Sequence, residues 1–112
     1  MDIKTFNTII KSQLEECEKV LIHKAEEYAT DDRLHNFNTG AALTNQLPRQ
    51  VLGGMMLKHT VSIYDMINDK KYYKLSQWDE KITDHINYLL LLKAVVLEEA
   101  ERRLQNASED NK

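Results

Sequence analysis

Apolar and polar residues alternate along this chain at helical spacing, with one interruption in the middle. From Ser76 to Arg103, residues Ile82, Ile86, Leu89, Leu90, Val96 and Leu97 recur as one helix face, while Lys81, His85, Glu99 and Arg103 make a polar one. The pattern predicts a single long helix. Ser76 and Asp79 read as its capping box, Asp79 and Glu80 as the acidic first turn, and Arg102 and Arg103 as the basic end that the helix dipole favours. Lys93 interrupts the apolar face and has to carry its ammonium past apolar neighbours. A third stripe runs through Glu80, Asp84 and Asn87 and continues as Leu91 and Val95. The carboxylates that begin it are therefore expected to look inward, where a charge is costly unless paired, protonated or bound to a cation.

Upstream, Ile3, Phe6, Ile10, Leu14, Cys17, Leu21, Ala25 and Tyr28 predict a first helix capped by Asp2 and reaching about Tyr28. Beside that face, His23 and Glu27 form an exposed pair one turn apart. Pro48 suits the first turn of another helix ending near Asn68, with Leu52, Met55, Met56, His59, Ile63, Met66 and Ile67 facing inward. Gly53 and Gly54 inside it predict either a close helix approach or a later start. Between these helices, 29–47 is rich in Thr, Asp and Asn and predicts one long loop, with room for a short helical turn at 40–43. Two readings of the loop stand. In one, Asn36, Asn38 and Thr39 meet a polar ligand; in the other it is a crossover that docks Leu34 and Phe37 on the core.

The expected fold is all-α, a small helical bundle of two or three long helices and a long loop. Residues 1–105 form its single domain and 106–112 a frayed polar tail. The long helix is apolar over too much of its circumference between Tyr88 and Leu97 for a small bundle to cover, so a homodimer or tetramer is expected to complete the core. A net charge of −3 without a lysine and arginine cluster argues against DNA as a partner. The lone Cys17, on an apolar face, reads as a buried thiol in a reducing compartment. No apolar run is long enough to span a membrane, and a cytoplasmic protein is expected.

Lys24-x-x-Glu27-Tyr28, Asn36-Phe37, Met56-x-Lys58 and Trp78-Asp79-Glu80-Lys81-x-x-Asp84-x-x-Asn87-Tyr88-x-x-Leu91 together resemble small phage and prophage proteins with nucleotide-modification-associated domains. Those proteins are in turn similar to the all-alpha, MazG-like nucleoside triphosphate pyrophosphatases. The resemblance implies a helical, oligomeric, magnesium-dependent enzyme that splits a nucleoside triphosphate into monophosphate and pyrophosphate, in a bacterial or phage-infected host cell. It implies Glu80 and Asp84 as catalytic residues, Glu27, Glu80 and Asp84 as metal ligands, and Lys24, Asn36, Lys58 and Asn87 as nucleotide contacts. Carboxylates near lysines suit magnesium and phosphate. The family's enzymes carry Glu-x-x-Glu on one helix and Glu-x-x-Asp on the next, whereas this chain has Glu80-x-x-x-Asp84. The alternative is accordingly a non-catalytic oligomeric relative that binds a nucleotide or a host protein.

Overall fold

The computed structural model describes residues 1–25 and 30–110 and is all-α, with four helices among them. These are α1 (Ile3–Ala25), α2 (His35–Thr44), α3 (Pro48–Asn68) and α4 (Leu75–Asp110). Asp2 caps α1, its Oδ1 accepting the Thr5 N–H at 2.7 Å. Pro48 opens α3 after an extended Leu47, whose N–H donates to Gln50 Oε1 at 2.8 Å. The long helix starts one residue earlier than Ser76. Gln77 rather than Asp79 reaches back, accepting the Lys74 N–H at 3.0 Å, so the cap lies two residues upstream of the Ser76–Asp79 box. Downstream, α4 continues through 106–110, part of the stretch assigned to the polar tail, with side chains 106–109 exposed.

The expected long loop is largely a helix. His35–Thr44 has a poor helical composition, but Phe37 and Ala41 lie one turn apart and are both buried, so packing decides the conformation. Asn45 ends α2 in the left-handed region at φ 54° and ψ 45°. Gly40 lets α2 approach α3 closely, since a Cβ there would stand 3.0 Å from Val51 Cγ1. The Gly53–Gly54 pair has no such role among the described residues. Neither would bring a Cβ within 4 Å of a described neighbour, and α3 starts at Pro48, not after them.

Helices α3 and α4 form an antiparallel hairpin. Arg49 pairs with Glu99 at 2.9 Å near the start of α3, and further along Thr60 Oγ1 meets His85 Nε2 at 3.4 Å. The core gathers Leu34, Phe37, Leu52 and Val95, with Met56, Tyr88 and Leu91 packed around it. Asn38 Nδ2, donating to Glu98 Oε1 at 3.0 Å, ties α2 to the far part of α4. Helix α1 lies against the first turns of α4, the one helix whose backbone it approaches closely among the described residues. Of its predicted inward face, Cys17 is buried, whereas Ile3, Phe6, Ile10 and Leu14 are exposed.

The molecule is elongated, measuring 59 × 31 × 26 Å with a radius of gyration of 17.7 Å. A compact domain of this length would have a radius of about 13 Å. No described helix is long and apolar enough to cross a membrane.

Candidate functional site

Where α1 crosses the start of α4, the two helices enclose an open cleft of about 690 Å³. Ser12, Gln13 and Glu16 line it from α1, and Ser76, Asp79, Glu80, Thr83 and Asp84 from α4. The wall is held together by one polar chain. Gln13 Nε2 donates to Thr83 Oγ1 at 2.8 Å and also lies 3.3 Å from Cys17 Sγ, four residues along α1. Thr83 and Cys17 are 4% and 1% exposed, so this junction is dry and fixes how α1 sits on α4.

Above that junction the ionisable side chains that line the cleft among the described residues are Glu16, Asp79, Glu80 and Asp84. Four carboxylates around one cleft repel one another and attract cations. Asp84 is half buried, while Glu80 is exposed, because α1 borders the cleft instead of closing over it. The inward stripe therefore holds for Asp84, Asn87, Leu91 and Val95, and its first residue stands at the cleft mouth.

Three residues beyond Asp84, Asn87 is 5% exposed, and its Oδ1 and Nδ2 are both buried with no hydrogen-bond partner among the described residues. A buried amide with nothing to bond is uncommon, since each unpaired group costs about 1–3 kcal/mol. His59 is half buried, with its ring 4.8 Å from that of Tyr88 and its Nδ1 likewise without a partner.

The cleft thus unites two of the sequence-predicted residues, Glu80 and Asp84; Asn87, three residues on along the same helix face, is buried and does not line it. Asn36 on α2 and Lys58 on α3 are exposed and do not line it. Glu27 and the side chain of Lys24 lie outside the described residues. Sequence reasoning missed Gln13, Glu16 and Thr83. Gln13 carried a signal, falling four residues before Cys17 on one face of α1, but its partner depends on helix docking.

Among the described residues no three His, Cys, Asp or Glu side chains converge closely enough to cage a metal. The donors the cleft does offer are carboxylate and hydroxyl oxygens, which suit a hard cation. Magnesium in particular is commonly held by one or two carboxylates and completed by water and substrate phosphates. Glu80 and Asp84 fit that role; the chemistry offered is unlike a zinc site, which would call on thiolate or imidazole. Comparison with protein-family models, with curated proteins and with solved structures finds no match to this chain.

Proposed function

We propose that this chain is a magnesium-dependent nucleoside triphosphate pyrophosphohydrolase-like protein of phage type, working at the α1–α4 cleft. The observation that carries this reading is the cleft between α1 and α4, which brings Glu80 and Asp84 together with Glu16. Glu80 and Asp84, with Glu27, would hold the ion. Magnesium supplies charge neutralisation and polarisation of the phosphate oxygens. The chain's own part is to orient the nucleotide and to take a proton. Water attacks the α-phosphorus, the bond to the bridging oxygen breaks, pyrophosphate leaves, and a carboxylate not engaged with the ion accepts the water's proton. The Asn87 amide, without a partner among the described residues, is a group able to recognise a base or sugar, offering one acceptor and two donors.

The absence of a convergent acidic triad among the described residues favours a second reading, a non-catalytic oligomer that binds a nucleotide or a host protein. Pyrophosphate release from a panel of deoxynucleoside triphosphates with magnesium separates the two. The enzyme reading expects release from at least one nucleotide, reduced by about a hundredfold or more in Asp84→Asn. No release from any of them, together with a thermal shift by nucleotide that is indifferent to magnesium, would replace it with the second reading.

A further inference from the structure

Helix α4 is apolar on two opposite sides, and the other described helices pack on only one of them. Leu91 and Val95 turn toward the core, while Ile82, Leu89, Val96 and Leu97 are 38%, 50%, 46% and 52% exposed. The residues of that other side are ordered. Ile82, Ile86, Leu89, Lys93, Val96 and Ala100 follow one another at alternating four- and three-residue steps, the 3.5-residue repeat of a coiled-coil seam. Leu90, Leu97 and Leu104, 47%, 52% and 73% exposed, run along one flank of it.

The total surface exceeds that of a compact monomer by enough to accommodate a partner. The chain exposes 8825 Å². A compact monomer of its mass would expose about 6,400 Å², so roughly 2,400 Å² is in excess. Obligate dimers bury about 2,000–5,000 Å² over both partners, and half of that range is what each copy here has uncovered. Part of the excess lies on α1, at Phe6 and Leu14, but the α1 stripe runs into the Gln13–Thr83 junction at Cys17, whereas the α4 seam keeps its repeat over six positions from Ile82 to Ala100.

We propose that a second copy of this chain docks along the α4 seam in antiparallel orientation, about a two-fold axis level with Leu91. Lys93 sets the orientation. In a parallel pair in register it would face its own copy, placing two ammonium groups together in an apolar seam. In the antiparallel register, Ile82 opposes Ala100 of the second copy, Ile86 opposes Val96, and Leu89 opposes Lys93. All six seam positions are then matched by one two-fold operation, with the largest aliphatic end residue against the smallest. The Lys93 stem lies over a leucine and its ammonium reaches the wet edge. Such self-complementarity is what singles out a second copy over a different protein.

Sedimentation at micromolar concentration is expected to return twice the chain mass of 13.1 kDa. Leu89→Glu with Val96→Glu is expected to give a monomer of unchanged helical circular dichroism. If that pair of changes unfolds the chain, cysteine pairing still decides. In a Cys17→Ser background, Leu89→Cys together with Lys93→Cys should give an oxidised covalent dimer, and either change alone should not. A wild-type monomer, a dimer untouched by the two glutamates, or covalent dimers from Lys93→Cys alone would each overturn the proposal.

Discussion

Replacing Asn87 by leucine distinguishes an amide kept for a ligand from one kept for the fold. Asn87 is 5% exposed, and neither polar atom of its side chain has a partner among the described residues. Two stranded groups at about 1–3 kcal/mol each set an upper bound on what the substitution recovers. Against that stands the misfit of a leucine in a site shaped for asparagine, up to about 1.5 kcal/mol. Taking the stranded groups in the lower half of that bound, about 2–4 kcal/mol, less about 1 kcal/mol of misfit, the expected net gain is about 1–3 kcal/mol. With an unfolding entropy of about 2.1 cal/mol/K per residue, each kcal/mol raises the melting temperature of a domain this size by about 4 °C. Asn87→Leu should therefore melt about 4–12 °C above the parent, read by circular dichroism at matched protein concentration because association also shifts the midpoint. The same variant should lose the nucleotide-dependent thermal shift of the parent. A variant that melts lower than the parent would refute the reasoning, since the amide would then be satisfied in the folded chain and its loss would be felt as a lost bond.

Two further outcomes follow from local geometry. Gly54→Ala, with open space where its Cβ would go, should raise stability by about 0.5–1 kcal/mol in urea unfolding. Gly40→Ala should gain nothing or lose, because its Cβ would press on Val51 at 3.0 Å; equal gains at both sites would dismiss the close approach of α2 to α3. The Asp69 carboxylate accepts the Lys71 N–H at 2.9 Å and the Tyr73 hydroxyl at 2.8 Å, and these bonds hold its pKa below the ordinary 3.8. Its stabilising contribution is thus complete above pH 3.8 and is lost as the pH falls through the lowered value. Trp78, whose ring stands 6.1 Å from that of Tyr73, should report this as an emission step below pH 3.8 that is absent in Asp69→Asn; a step above that pH would contradict the assignment.

The long helices were legible because their patterns are local. Asp2, Pro48 and the stripe from Asp84 to Val95 each announce a start or a face through residues within a few turns. Helix α2 was not legible, because Asn36, Asn38, Thr39 and Gly40 all favour turns, and what makes them helical is the burial of Phe37 and Ala41 in tertiary packing. The acidic cleft was half legible. Glu80 and Asp84 stand on one stripe of one helix, but Glu16 and Gln13 join them only through the side of α4 on which α1 docks. That is a long-range choice, made between residues 70 positions apart at the Gln13–Thr83 bond.

The docking of α1 on α4, its one close helix contact among the described residues, has a consequence for the order in which the molecule comes apart. Helices α2, α3 and α4 share a core in which each supports another, whereas α1 is held chiefly at the dry junction of Cys17, Gln13 and Thr83. Such an arrangement divides the chain into a cooperative three-helix unit and a lever that can lift from it at less than the global cost of unfolding. The cleft is then a joint whose two walls belong to units of different stability. A ligand that bridges Glu16 to Asp84 would clamp the lever down, so that amide protection along α1 reports occupancy of a site most of whose acidic groups lie on another helix.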